Sequence, residues 1–220
     1  MIRGVIFDLD GVLVSTDELH FRAWQQLAAE EGIPLDDRVR DRLRGLDRMA
    51  SLAVVLEHAG RQYTAADRLA LAERKNRTYR ASLESLTPDD LLPGVERLLA
   101  ELRRAGVKLA VASSSRNARL ILDRLAVTPA FDAVIDGDDI RQAKPHPEIF
   151  LVAAAALGCL PGECVVLEDA AAGVEAARRA RMAVWGIGTP ESLPGVQPLT
   201  AGLADVHADG LLRLAGGGNR

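Results

Sequence analysis

The fold of this 220-residue chain is indicated first by the segment Gly4-Val5-Ile6-Phe7-Asp8-Leu9-Asp10-Gly11. Its apolar first half is followed directly by an aspartate, which predicts a short buried strand with Asp8 at its carboxyl end. Side chains alternate along extended backbone, so Asp8 and Asp10 are expected to point to the same side. Two neighbouring carboxylates are costly unless a cation or a proton neutralises one of them. The segment therefore predicts both the first strand of a sheet and a site at which a cation or a proton neutralises a carboxylate.

Apolar runs of similar length recur later in the chain and alternate with helical patterns. Gly or Pro stands at the joins, and this order is typical of a parallel sheet wrapped by helices. The predicted strands are residues 107–112, 133–135, 165–167 and 183–187, and the predicted helices are residues 95–104, 118–125, 147–157 and 173–181.

The segment from residue 16 to residue 90 breaks this alternation, because it has helical periodicity and no convincing strand pattern. We therefore predict an α/β fold in which a Rossmann-like parallel-sheet core holds an inserted α-helical cap domain. The predicted core takes residues 1–14 and 91–220, and the predicted cap takes residues 15–90.

The composition is that of a globular protein and argues against several functional classes. Apolar residues make up 48% of the chain, charged residues make up 26%, and the net charge is -4. An acidic chain of this kind is not expected to bind nucleic acid. The longest apolar run, residues 149–160, is shorter than the roughly 20 residues that a membrane span needs. We expect a cytoplasmic monomer that has a small-molecule substrate and binds neither nucleic acid nor a membrane.

Polar side chains follow the other predicted strands at the same edge of the sheet. Ser113 follows the second strand, Lys144 comes after the third, and Glu168-Asp169 ends the fourth. Because the carboxyl ends of parallel strands meet at one edge, these groups are expected to converge on Asp8. Each residue alone is equally compatible with a helix cap or a surface charge. Together they suit phosphoryl transfer, in which one Asp attacks phosphorus, another moves a proton and Mg²⁺ binds between protein and phosphate.

These motifs resemble the four motifs of the haloacid dehalogenase-like phosphotransferase superfamily. The stretch Phe7-Asp8-Leu9-Asp10-Gly11-Val12 resembles the first motif, and Ser113, Lys144 and Glu168-Asp169 match the other three. The resemblance implies a Rossmann-like core with a cap, an aspartyl phosphate at Asp8 and a general acid/base at Asp10. It also implies catalytic roles for Ser113 and Lys144. The implied Mg²⁺ ligands are the carboxylates of Asp8 and Asp169, the backbone carbonyl of Asp10, and Glu168 either directly or through water.

Within that superfamily, the chain is similar to the β-phosphoglucomutase family. The similar segments are TDELHFRAW (16–24), LRGLDR (43–48), RKN (74–76) followed by Tyr79, SSSRN (113–117) and LED (167–169). The resemblance implies interconversion of β-D-glucose 1-phosphate and glucose 6-phosphate, with Mg²⁺ as cofactor and β-glucose 1,6-bisphosphate as intermediate. The implied substrate-binding residues are Thr16, His20, Trp24, Gly45, Leu46, Arg48, Lys75, Ser115, Arg116 and Asn117.

A mutase of this kind has to hold two phosphates of one bisphosphate. Ser113 and Lys144 are expected at the phosphoryl group that is transferred, and Arg48 can offer a bidentate fork to the distal phosphate. By resemblance, His20 orients Asp10 and Trp24 lines the sugar site. The chain departs from the family at residue 170, where Ala replaces a frequent Ser, and at residue 116, where Arg replaces the common Lys. The resemblance also predicts a cis peptide bond between Lys144 and Pro145.

Two other functions remain open at this point. A sugar-phosphate phosphatase on the same scaffold would keep the core residues and would not need a second phosphate site. A phospho-acceptor signalling module would also phosphorylate an Asp near Mg²⁺. It would have no use for a proton shuttle at Asp10 or for a long inserted cap.

Overall fold

The computed structural model describes residues 1–36, 38–43 and 46–214. The chain divides into two compact units, which we call the core unit (Met1–Ser15 with Thr87–Arg220) and the cap unit (Thr16–Leu86). The cap begins one residue later and ends four residues earlier than the predicted segment 15–90. The chain re-enters the core unit early because Thr87 and Asp90 enclose a short 3-10 helix, Pro88–Asp90, just before Leu91 bridges to Val14.

The core unit contains a parallel sheet whose central strand is the first in the sequence. Strand β1 pairs on one side with β2 and on the other with β4, and all four of its residues are buried. The strand order is β3-β2-β1-β4-β5-β6, which confirms the predicted Rossmann-like sheet. The strands are β1 (Gly4–Phe7), β2 (Lys108–Ala112), β3 (Ala133–Ile135), β4 (Cys164–Glu168), β5 (Ala183–Ile187) and β6 (Leu199–Thr200).

The cap unit is helical, as the sequence predicts. Asp47 caps the third helix by accepting hydrogen bonds from the amides of Met49 and Ala50, and Thr64 forms a capping box with Asp67 at the fourth. The first and fourth helices pack against each other. The helices are α1 (Asp17–Glu30), α2 (Arg38–Leu43), α3 (Arg48–Leu56) and α4 (Ala65–Ser82), and Leu83–Ser85 adds a 3-10 turn.

Helices pack against the sheet of the core unit and bury its aliphatic side chains. On one face, Ile6, Ala110 and Val166 of the strands lie in one cluster with Ile149 and Phe150 of α7. The core helices are α5 (Val95–Arg104), α6 (Ala118–Arg124), α7 (Glu148–Ala156), α8 (Ala171–Arg179) and α9 (Ala208–Leu212), and further 3-10 helices span Thr128–Ala130, Pro161–Glu163 and Leu203–Asp205. Strand β6 and helix α9 were not predicted, because two and five residues are too few to show a periodic pattern. Among the described residues, no helix combines the length and apolarity that crossing a membrane requires.

Candidate active site

The core unit places Asp8 at the centre of the sheet edge. Its amide donates to the carbonyl of Leu167 at 3.0 Å, which continues the β1–β4 ladder by one residue. The Asp8 side chain is buried. The strand order reverses between β1 and β4, and open α/β sheets bind ligands where this happens. Asp10 follows two residues later, partly exposed, with its backbone paired to Val14.

Lys144 joins two of the predicted carboxylates. Its ammonium forms an ion pair with Asp8 Oδ1 and donates to Glu168 Oε2 at 2.8 Å and to the carbonyl of Ala112 at 3.2 Å. The ammonium also lies 4.9 Å from the ring centroid of Phe150. The peptide bond between Lys144 and Pro145 is cis, as predicted. The loop between β3 and α7 therefore places the nearly buried ammonium of Lys144 at the sheet edge where β1, β2 and β4 end.

The carboxylates of Asp8, Glu168 and Asp169 form an acidic cluster in which ligand atoms of all three lie within 4.8 Å of one another. Burial is the largest cause that raises the pKa of Asp8 well above its ordinary range, and the charge of Glu168 adds to it. Lys144 opposes this rise. Burial alone would lower the pKa of Lys144, but the charges of Asp8 and Glu168 outweigh it and raise that pKa above its ordinary value.

The acidic cluster fits a hard divalent cation such as Mg²⁺, which takes oxygen ligands. Two glycines allow backbone to approach the carboxylates closely. A Cβ at Gly11, where φ is +78°, would lie 2.1 Å from Asp169 Oδ2, and one at Gly173 would lie 2.0 Å from Glu168 Oε2. The Ala170 amide donates to the other oxygen of Glu168 at 3.1 Å. Local backbone thus holds the carboxylates in place.

Ser113 begins a loop that leads from β2 into α6. Its amide donates to the carbonyl of Ile135, and its hydroxyl oxygen accepts from the amide of Ser115 at 3.2 Å. The Ser115 hydroxyl in turn accepts from the amide of Asn117 at 3.2 Å. Ser113 and Asn117 are buried, whereas Arg116 is exposed and pairs with Asp138 at 3.3 Å. The loop therefore presents a fixed hydroxyl at the sheet edge and a guanidinium further out.

The cap unit brings Thr16, His20, Trp24 and Lys75 into one cluster. Lys75 is only 3% exposed, although an isolated Lys on a helix is usually solvated. Its ammonium lies 2.7 Å from His20 Nδ1 and 4.8 Å from the centroid of Trp24. Burial, followed by the charges of Lys75 and Arg48, lowers the pKa of His20 well below its ordinary value. His20 is therefore neutral, and the ammonium at Nδ1 assigns its proton to Nε2.

The remaining predicted cap residues precede or begin α3. Arg48 is the first residue of that helix, directly after the capping residue Asp47. Leu46 is 43% exposed. Gly45 lies outside the described residues.

Sequence reasoning missed two residues that the structure ties to these groups. Asp136 is buried directly after β3, and it accepts from Arg119 Nε at 2.9 Å and from the Asp138 amide at 2.9 Å. An acid immediately after a predicted strand is the signal that identified Asp8, and it applies to Asp136 as well. The second residue is Tyr79, whose contacts join the cap cluster. The sequence marks Tyr79 only as part of a family segment.

Proteins of known sequence and structure resemble this chain along most of its length. Residues 2–181 match the haloacid dehalogenase-like hydrolase family. The chain is 42% identical over 207 residues to the β-phosphoglucomutase of Bacillus subtilis, covering 93% of this chain and 92% of that protein. It is 34% identical over 182 residues to a fructose-1-phosphate phosphatase of Escherichia coli, covering 81% and 93%. A crystal structure of β-phosphoglucomutase from Clostridium difficile has a TM-score of 0.89 at 34% identity, with 95% of each chain covered.

The acidic cluster predicts that Mg²⁺ stabilises the folded protein. At 100 times its dissociation constant, a ligand of the folded state adds about 2.7 kcal/mol to the free energy of unfolding. We expect this gain in the wild type and its loss in Asp169→Asn, because a ligand oxygen is removed. Urea unfolding with and without Mg²⁺ measures it, and Asp209→Asn, at an exposed position of α9, serves as the control. Equal stabilisation of Asp169→Asn and the wild type would contradict the assignment.

The raised pKa of Asp8 predicts a pH-dependent cost to stability when divalent cations are removed by EDTA. The folded state binds the Asp8 proton more tightly than the unfolded state, whose pKa is about 3.9. The free energy of unfolding therefore falls as the pH rises through the interval between these two pKa values. Asp8→Asn removes this cost, so we expect it to unfold at higher urea than the wild type at pH 7. The difference should shrink towards pH 4, and Asp209→Asn should show neither effect.

Proposed function

This chain belongs to the haloacid dehalogenase-like hydrolase family and is an enzyme, and on that premise we propose that it interconverts β-D-glucose 1-phosphate and glucose 6-phosphate. The observation that carries the proposal is the position of Asp8, a buried carboxylate in contact with Lys144 and beside Glu168 and Asp169. A carboxylate so placed can attack phosphorus while its surroundings neutralise the anionic phosphoryl group.

Phosphoryl transfer at this site breaks one O–P bond for each one it forms. An oxygen of the Asp8 carboxylate attacks phosphorus, and the bond from phosphorus to the sugar oxygen breaks. Asp10 gives a proton to that leaving oxygen. In the opposite half-reaction, Asp10 takes the proton from a sugar hydroxyl, whose oxygen attacks the phosphorus of aspartyl phosphate and releases the Asp8 carboxylate. Phosphorylated enzyme thus converts β-glucose 1-phosphate into β-glucose 1,6-bisphosphate, and loss of the phosphoryl group at C1 leaves glucose 6-phosphate.

Charge neutralisation in the core unit supports this chemistry. Lys144 offers its ammonium to the phosphoryl oxygens, and Ser113 offers its hydroxyl from a loop that backbone hydrogen bonds hold. The acidic cluster would hold Mg²⁺, which supplies Lewis-acid stabilisation of the phosphoryl oxygens when bound. Without a cation, the carboxylates of the cluster would repel an incoming phosphate.

The choice of a glucose phosphate rests on the relative from Bacillus subtilis and on residues of the cap unit. Arg48 offers the guanidinium that a distal phosphate requires. His20 presents a neutral Nε2–H, and Trp24 belongs to the same cluster. These residues would hold a sugar that carries two phosphates. Transfer of a phosphoryl group to water requires the binding of only one phosphate.

A second candidate function is hydrolysis of a sugar monophosphate. It is favoured by the 34% identity to the fructose-1-phosphate phosphatase, which covers 81% of this chain. Transfer of the phosphoryl group from Asp8 to water would use the same core residues. The two candidates therefore differ in the acceptor and in the need for a site that binds a second phosphate.

Simultaneous measurement of both products tests the proposal. We expect purified protein with Mg²⁺, β-glucose 1-phosphate and a trace of β-glucose 1,6-bisphosphate to form glucose 6-phosphate without matching release of phosphate. A coupled dehydrogenase follows the sugar, and a parallel assay follows free phosphate. Asp8→Asn should abolish both signals, because the nucleophile is lost. Phosphate release with little glucose 6-phosphate would overturn the mutase assignment in favour of the phosphatase.

Substitution of Arg48 separates the two candidates within one protein. Arg48→Ala removes charge-assisted hydrogen bonds to the distal phosphate, so we expect kcat/KM of the mutase reaction to fall about 10-fold to 100-fold. Release of phosphate from small monophosphates should change far less. Arg38→Ala, which replaces an exposed arginine of the cap unit, is the control and should leave both rates unchanged. Equal loss in both reactions of Arg48→Ala would contradict a role in binding the second phosphate.

A further inference from the structure

We propose that Tyr79 is a positioning residue for the reaction, because its ring holds His20 and Lys75 while its hydroxyl holds Thr16. The inference rests on the proposed function for its kinetic consequence and on the cap unit alone for its geometry. Tyr79 lies on α4, whereas Thr16 and His20 lie at the start of α1. One side chain thus joins three residues that were assigned to substrate binding.

The ring of Tyr79 stacks against the imidazole of His20. It is completely buried, and its centroid lies 3.8 Å from that of the imidazole, with 27° between the two planes. The Lys75 ammonium lies 4.7 Å from the Tyr79 centroid and 4.8 Å from the Trp24 centroid. The two aromatic faces stabilise a cation that is almost excluded from water. They also hold it where it can donate to His20 Nδ1 at 2.7 Å.

The hydroxyl of Tyr79 forms a hydrogen bond with Thr16, which precedes helix α1 and would ordinarily cap it. Threonine directly before a helix commonly accepts a hydrogen bond from an amide of the first turn. Within the described first turn of α1, the Thr16 side chain makes no such capping bond. Its Oγ1 instead accepts from the Tyr79 hydroxyl at 2.9 Å, and both residues are fully buried. Thr16 thus gives up the usual capping bond and instead contacts a residue 63 positions away. Such a departure from local preference points to a functional constraint.

These contacts have a chemical consequence at His20. An ammonium fixed at Nδ1 leaves the proton on Nε2, so the imidazole presents one defined donor. Loss of the Tyr79 ring would release the Lys75 ammonium and allow the imidazole to rotate and populate both tautomers. Loss of the hydroxyl alone would loosen Thr16 at the start of α1 while the ring still holds His20. The two halves of the side chain can therefore be tested separately.

The experiment compares Tyr79→Phe and Tyr79→Leu with the matched control Tyr63→Phe. Tyr63 is also a buried tyrosine of the cap unit, and its hydroxyl donates to Glu31 at 3.0 Å. The ¹⁵N NMR spectrum of histidine-labelled protein reports the tautomer of His20, with His20→Asn used to assign its signals. This measurement needs neither substrate nor turnover. Mutase kinetics with β-glucose 1-phosphate provide kcat and KM for the same proteins.

We expect Tyr79→Phe to keep the Nε2–H tautomer and to lose about 5-fold in kcat, the effect of one buried hydrogen bond. Tyr79→Leu should show both tautomers and lose more in kcat. Tyr63→Phe should change neither. An unchanged tautomer in Tyr79→Leu, or unchanged kcat in Tyr79→Phe, would overturn the proposal, as would an equal kinetic loss in Tyr63→Phe.

Failure of the proposed function would look different. If the protein releases phosphate and forms no glucose 6-phosphate, the mutase assignment fails, while the His20 spectra still decide whether Tyr79 positions the imidazole. The rate of phosphate release then replaces the mutase rate as the kinetic readout.

Discussion

The contact of the Lys144 ammonium with Asp8 and Glu168 is the interaction on which the site depends. The end of β1 and the end of β4 bring carboxylates together away from water, where like charges repel strongly. Burial of this kind is tolerated only when the charges are paired and hydrogen-bonded. Lys144 supplies the compensating charge from a loop that begins after β3. In the proposed reaction, the same ammonium would also neutralise charge on the phosphoryl group.

The sheet explains why these groups meet. A parallel sheet aligns the carboxyl ends of its strands. The direction of the strand order reverses between β1 and β4, and Asp8 and Glu168 lie at the carboxyl ends of these two strands. Gly11 and Gly173 let backbone approach the acidic groups to distances that a Cβ would not allow. Arg119 and Asp136 connect the segment after β3 to helix α6, which follows the Ser113 loop. Short backbone and side-chain contacts therefore hold the charged residues of the site in place on the sheet.

The cap unit has an internal order of its own. Its buried cation, Lys75, is stabilised by aromatic faces and by His20, and not by a carboxylate as Lys144 is. That difference leaves the His20 imidazole neutral, with one N–H donor at Nε2. A core that transfers phosphoryl groups can be combined with different cap residues. The similarity of this chain to both a mutase and a phosphatase is consistent with that division of roles.

Five of the six strands, the inserted helices and the four motifs at the strand ends could be predicted from the sequence, because they follow from local periodicity and spacing. The sequence also predicted Asp8, Lys144, Glu168 and Asp169 as neighbours, since parallel strands share one edge. The burial of Lys75, the contacts of Tyr79 with His20 and Thr16, and the pairing of Asp136 with Arg119 became visible only in the folded structure. The physical reason is distance along the chain. Tyr79 and Thr16 are 63 residues apart, so no local pattern encodes that their side chains meet or how much water they lose.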